Sequence, residues 1–484
     1  MNPAELNYQV VGTSDHNQKR NNMEPTKKWR QFMVGIIVNL SAAAVGTCLG
    51  WTAPVNPKLN DASLKDSPLD AVPTVDEASW IGSLVALGAV IGPLIGGPMA
   101  NVVGRKWTLL FSSLLFAVPY ATLIFAKTVL VICIARFIQG LGVGFVMCVV
   151  PMYMGEISSD EVRGAMGSFM QLFIVTGILY VYCVGPYVSY VALQWACLAI
   201  PVAFAVGFFF MPESPAYYIQ KGNRESAVNS LVFLRGKSKE GVQDEMSIIQ
   251  TSVEEALKNK GSVLDVFQNK ACLKALIISG GLVSFQQLSG INAVLFYSTD
   301  IFIKASGGSG GGMDPSVSTI LVGAVMVLSS GTTPLIVDRL GRKIILLFSA
   351  VGMAISLFFL GLFFLLDHNK AEIVSSISWL PVVSLIVFVF VYCVGFGSLP
   401  WAVLGEMFSP EVKSNASSIV ATTCWILGFL VTKYFSALDE ALGTHWSFWI
   451  FAIFCVVAFF FVTTIMFETK GLTLQQIQDR LNGI

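Results

Sequence analysis

Charge is what this sequence has least of. Lysine, arginine, aspartate and glutamate make up 12% of its 484 residues, about half the share of an average soluble domain. The 30 bases and 30 acids cancel, so no long-range field points to a nucleic-acid partner. Histidine is scarce: His16, His368 and His445 are scattered through tails or loops and build no metal site. Nine cysteines are present but no CxxC pair. All fall in or beside apolar segments and read as small buried hydrophobes, not as a disulfide or metal framework. No nucleophile–base pair, metal spacing or phosphate loop stands out, so neither an enzyme nor a cofactor is expected. No glycosylation sequon falls in an outer loop, since Asn39 is within a span and Asn415 on the cytosolic side. The polar tail before residue 31 is followed by an apolar run with no convincing cleavage site, so a removable signal peptide is not expected either.

Hydrophobic residues fill the space left by charge. They make up 54% of the chain, 35 of them phenylalanine, and the mean hydropathy is +0.70. A spanning helix needs about 20 mostly apolar residues. Twelve such runs occur, at 32–53, 79–99, 107–126, 129–150, 164–186, 190–211, 272–296, 316–337, 344–366, 379–402, 415–437 and 446–467. The fold expected is an all-α membrane protein of twelve transmembrane helices in two six-helix pseudo-repeats. The segments are a tail (1–31), a six-helix bundle (32–211), an intracellular helical segment (212–271), a second bundle (272–467) and a tail (468–484). Within the middle segment, ESAVNSLVFLRG and VQDEMSIIQTSVEEALKNK have helical periodicity. SGGSGGGMD (306–314) reads as a flexible outer loop. An even number of spans puts both tails on one side. With that side cytosolic, it holds 23 of the 30 basic residues, as the positive-inside rule asks.

The halves repeat. NVVGRKWTLL (101–110) matches DRLGRKIILL (338–347), and GEISSDEVRG (155–164) matches GEMFSPEVKS (405–414). A duplicated 6+6 chain of this kind places a binding site near the bilayer midplane between the halves, which is the physical ground for expecting a transporter.

The stretch FQQLSGINAVLFYS (285–298) is polar where a span should be apolar. Gln286 and Asn292 lie about 120° apart on a straight helix, and Gly290 permits a break that turns both toward one cavity. Amides both donate and accept, as sugar hydroxyls do. The alternative is hydrogen-bond glue between helices, a reading that fits Gln287 or Ser289 taken singly better than it fits the cluster.

The chain resembles the sugar porter family of the major facilitator superfamily, and within it the insect facilitated trehalose and hexose transporters. The matching pieces are GPMANVVGRK, RFIQGLGVG, PMYMGEIS, PESP, FQQLSGINAVLFYS, DRLGRK, GFGSLPWAVLGEMF and FETKG, in family order from about 32 to 475. The resemblance implies alternating-access transport of a small neutral sugar in a lipid bilayer, with no obligate protein partner evident. Substrate binding is implied for Gln171, Gln286, Gln287, Asn292 and Trp401, and for the positions of Cys393 and Cys424, where the family often carries more polar groups. Met326 stands where well-defined hexose sites carry an amide. Phe296 and Tyr297 are expected to form an outer lid, although Tyr297 equally fits ordinary packing.

Arg105, Lys106, Glu156 and Arg163 recur as Arg342, Lys343, Glu406 and Lys413. They are expected to pair across the halves at the cytosolic rim as a gate. Topology signalling alone explains the bases, but not an acid seven residues before a base in both halves. Arg136 is an intramembrane charge. Proton-coupled members of the family place an aspartate on the first span near the matching arginine. Here the matching position is Cys48, which favours a facilitator over a proton symporter. A non-transporting sensor is the rival from another class. The plasma membrane is the default location, with both termini cytosolic.

Overall fold

In hydrocarbon no water is present to bond the backbone, so apolar runs must satisfy it internally, as helices do. The computed structural model describes residues 26–61, 63, 66–258, 263–306, 313–472 and 474–482. Among them are twelve helical segments long and apolar enough to span: Lys28–Leu59, Val75–Val102, Arg105–Ile124, Val129–Ile157, Glu161–Tyr187, Tyr190–Phe209, Lys270–Ala305, Pro315–Thr333, Arg342–His368, Leu380–Met407, Asn415–Leu442 and Thr444–Thr464. All twelve expected spans are present. Several run past their apolar limits, the seventh by nine residues. Helical hydrogen bonding continues there into polar residues that a hydropathy reading leaves out. The tail before residue 26 and most of the glycine-rich loop lie outside the described residues.

Three spans are broken. The first bends at Trp51, ahead of Pro54 and Pro57. The seventh is two helices, Lys270–Leu288 and Ile291–Ser306. The tenth is interrupted over Gly395–Ser398. The N-terminal half is locked by close helix crossings. A Cβ on Gly88 would come within 2.3 Å of the Phe137 carbonyl, and one on Gly140 within 2.2 Å of the Val85 carbonyl. Small residues here let the second and fourth spans touch backbone to backbone.

Both described chain ends and the middle segment share one end of the bundle, the tail end. Lys27 N–H donates to the Arg235 carbonyl at 2.8 Å, and Gln478 donates to the Met407 carbonyl at 2.7 Å. The middle segment is helical as its periodicity predicts, with helices Arg224–Arg235 and Gln243–Lys258 closing on Ala227, Leu231, Val242 and Met246. Buried Arg235 pairs with Glu245 at 2.7 Å and donates to the Ile157 carbonyl, which fastens this segment to the fourth span.

The halves meet at the opposite, loop end. There the second span packs on the eleventh and the fifth on the eighth. At the tail end, a Cβ on Gly155, Gly164 or Gly167 of the fourth and fifth spans would meet nothing within 4 Å. The bundle is closed at its loop end and open toward its tails.

Candidate functional site

Gly290 adopts φ +83°, a conformation L side chains rarely hold, and Phe451 packs where its Cβ would be. The break therefore depends on glycine. It brings the two sides of the motif together: Asn292 Nδ2 donates to Gln287 Oε1 at 2.5 Å, and Gln287 Nε2 donates to Cys424 Sγ on the eleventh span at 3.0 Å. Gly428, one turn beyond Cys424, leaves room for both amides. Gln286 turns elsewhere. Its Nε2 donates to the carbonyls of Phe396 and Gly397 at 2.6 and 3.0 Å, inside the break of the tenth span. Seventh, tenth and eleventh spans are thus joined through one polar motif. Each amide keeps hydrogen-bonding capacity after its protein partner is counted, so the helix-glue contacts leave room for a ligand.

The remaining expected contacts are more dispersed. Gln171 lies half-buried in the fifth span, and its side chain makes no hydrogen bond among the described residues. Trp401 is half-buried beside the tenth-span break. Cys393 and Met326 are buried, and Thr333 donates to the Cys393 carbonyl at 3.3 Å. Phe296 and Tyr297 are buried against the other half: the Tyr297 hydroxyl would lie 3.3 Å from a Cβ on Gly82 of the second span, and it donates to the Thr432 carbonyl at 3.3 Å.

Arg136 is completely buried. Nη1 donates to the Cys48 carbonyl at 2.9 Å and to Gln139 Oε1 at 3.0 Å. Nη2 donates to Thr52 Oγ1 at 3.2 Å, and Nε to the Ile81 carbonyl at 3.2 Å. The Trp51 ring lies 4.8 Å from the guanidinium. Cys48 Sγ is 3.5 Å from Nη1, so the residue standing where an acid was looked for is indeed in contact. Every partner described is neutral.

At the tail end, Arg105 pairs with Glu156 at 2.9 Å and Arg342 with Glu406 at 2.8 Å. Both pairs lie inside one half. Pairing across the halves is the expectation for a shut rim, with the outer end open. At an open end the halves stand apart, and each arginine finds the glutamate at the end of the neighbouring span instead. Lys106 Nζ lies over the rings of Trp107 and Phe209, Lys343 Nζ donates to the Met466 carbonyl, and Lys413 Nζ to the Gly405 carbonyl, all again within one half. Arg163 lines a small cavity with Met154, Met166 and Met170.

The family profile described as "Sugar (and other) transporter" matches residues 28–481. The chain belongs to the sugar transporter family. It is 35% identical over 484 residues to the facilitated trehalose transporter Tret1 of Apis mellifera ligustica, covering 99% of this chain and 93% of that one. It is 35% identical over 462 residues to the protein of the same name from Anopheles gambiae, covering 95% of this chain and 57% of that one. The chain thus spans little more than half the length of the mosquito relative. Among solved structures, the partially occluded inward-open xylose transporter XylE from E. coli superposes with a TM-score of 0.75 at 23% identity, covering 92% of this chain and 99% of that one. The fold is the major facilitator fold, and with twelve candidate spans the chain is a multi-pass membrane protein. Family and relatives are transporters, not enzymes.

Two acids of the transporter escaped notice in the sequence. Glu213 accepts the Lys106 backbone N–H at 3.0 Å, and Glu468 accepts those of Arg342 and Lys343, both at 2.9 Å. Each caps the positive end of a span. Gly104 (φ +114°) and Gly341 (φ +88°) make the approach possible, since a Cβ would strike the carboxylate at 2.3 and 2.7 Å. The signal was available: PES and FET each follow the last span of a half. The twins are not equal. Burial pushes the Glu213 carboxyl up from the usual glutamate value. Burial also raises Glu468, but backbone donors outweigh it and hold that carboxyl below the usual value.

Also missed was the loop-end junction. Lys433 of the eleventh span is 9% exposed and reaches Asp76 Oδ1 at 2.5 Å and Ser79 Oγ at 2.8 Å on the second span, over the Trp80 ring at 4.1 Å. Asn56 of the first span donates to Asp300 of the seventh at 3.1 Å.

Proposed function

We propose that this transporter is a facilitative uniporter of a small neutral sugar, trehalose or a hexose. The helical bodies 32–211 and 272–467 rock about a site formed by Gln171, Gln286, Gln287, Asn292 and Trp401, with Cys393 and Cys424 on its softer wall. The observation that carries the uniport reading is the neutral setting of Arg136. With Cys48 against the guanidinium in place of a carboxylate, the site lacks the usual proton carrier of the family's symporters. The names of the insect relatives support trehalose. The soft wall fits a sugar other than the usual hexoses. The rim residues Arg105, Lys106, Glu156, Arg163 and their repeats Arg342, Lys343, Glu406 and Lys413 form the tail-end gate when that end closes, and Phe296 and Tyr297 form the lid at the other. The concentration of bases at the tail end supports a cytosolic placement of both termini, and the plasma membrane is the default location.

The test is uptake of labelled trehalose, glucose and fructose into proteoliposomes, each with and without a pH gradient. The expected result is saturable uptake that equilibrates without concentrating. Accumulation driven by the pH gradient overturns the uniport reading. Gln286→Ala is expected to lower uptake at low sugar about tenfold, the scale of one lost buried hydrogen bond, with unchanged surface expression. Normal uptake by this variant removes Gln286 from the site.

A further inference from the structure

A cavity of about 670 Å³ opens at the loop end, outside the central site. Its size falls within the range of about 300–1,000 Å³ usual for small-molecule sites. Asn56 of the first span and Asn60 just past its end line it, with Asp300 from the seventh and Asp439 and Glu440 from the eleventh. Tyr297 and Phe435 form an aromatic wall, with ring centroids 5.3 Å apart. Lys304 neutralises one carboxylate by pairing with Asp439 Oδ2. The other oxygen, Asp439 Oδ1, is buried and has no hydrogen-bond partner in a side chain only 10% exposed.

From these features we propose a second sugar-binding site, a loop-end vestibule that holds the sugar before it reaches the centre. The idea rests on the sugar-transport reading above. Carboxylates accept paired hydroxyls through charge-assisted hydrogen bonds, the asparagine amides donate and accept, and the aromatic wall suits the C–H face of a pyranose. The Asp439 carboxylate, shared with Lys304, and the neighbouring Glu440 are the acceptors that line the cavity. The site also meets the junction of the halves. Asp300 is held by Asn56 across that junction, so a sugar hydroxyl that takes either partner loosens the closed end. Binding in the vestibule thereby favours opening of the path to the centre.

The test uses the full chain in lipid nanodiscs. Ala78 lines the cavity without a polar side chain, so Ala78→Cys serves as the reporter, labelled with a charged maleimide against the parent chain as background. Trehalose and glucose are the probes, with sorbitol at equal osmolality as control. The expected result is protection of the reporter by a sugar but not by sorbitol, retained when Gln286→Ala is added. Adding Asp439→Asn, or Glu440→Gln, raises the half-protecting concentration about tenfold. Protection that vanishes with Gln286→Ala yet survives Asp439→Asn overturns the vestibule, as does an absence of protection in a chain that takes up sugar. Uptake judges the functional reading separately: its loss with protection intact defeats that reading and leaves the vestibule standing.

Discussion

At the loop end, Lys433 of the eleventh span reaches Asp76 and Ser79 on the second, so one side chain ties the two halves together. At the tail end, Arg105 and Arg342 each take a glutamate of their own half. The same chemistry, a base against an acid, serves two purposes. Within a half it makes a rigid body. Across the halves it sets which end is closed. A rocking carrier needs the second kind at one end at a time, and the structure has it at the loop end.

Lys433→Ala breaks the comparison most directly. It removes a charge-assisted hydrogen bond and a cation–π contact that exist only while the loop end is shut. A loss of roughly 2 kcal/mol is expected, about 30-fold in the ratio of tail-open to loop-open forms. Distances between spin labels placed at the two ends read the shift, and an unchanged distribution would falsify the latch. The next largest effect sharpens the contrast between the two halves. Glu468→Gln is expected to cost about 1 kcal/mol of stability at neutral pH, the scale of an acid at a helix N-terminus. Because the folded pKa of Glu468 is depressed, its contribution is present above the ordinary glutamate pKa and lost as pH falls through the folded value. Glu213 carries the opposite sign. Its raised pKa means the ionised form burdens the fold at neutral pH, a burden that fades as pH falls through that raised value. Glu213→Gln is therefore expected to cost less than Glu468→Gln at pH 7. Melting temperatures of both variants from pH 4 to 7 check the pair, and a larger loss for Glu213→Gln would reverse the assignment. Smallest is Glu406→Ala. Arg342 keeps this partner in the tail-open form, so only the difference between the forms counts, on the scale of about 0.5 kcal/mol for a partly exposed pair. A twofold shift toward the tail-open form is expected, opposite in direction to Lys433→Ala, and labelling of a loop-end cysteine reads it.

How much of this could be read beforehand depends on how local the cause is. The twelve spans follow from runs of apolar residues, and only their polar ends were cut short. The break at Gly290 was legible because one glycine between two polar pairs makes it. The approach of Cys48 to Arg136 followed from a family match. The Lys433–Asp76 junction joins residues 357 apart in sequence, and nothing near either one announces the other. Glu213 and Glu468 stood inside quoted motifs, yet a carboxylate capping a helix more than a hundred residues away has no local signature. The rim charges are visible in the sequence as repeated residues, but their partners depend on which end of the molecule is open, and that is a property of a conformation.

The setting of Arg136 has an electrical consequence. A guanidinium surrounded by neutral dipoles brings an uncancelled positive charge to the interior of the N-terminal half. When that half tilts in an energised membrane, the charge moves through part of the voltage drop. Crossing the whole drop is worth about 2.3 kcal/mol per 100 mV, so a shift of a few ångströms in a hydrocarbon layer about 30 Å thick is worth a few tenths. Under the uniport reading, the carrier would then lean toward one orientation whenever the membrane is polarised, and its half-saturating sugar concentrations would differ between the two faces, although equal sugar on both sides still gives no net flux.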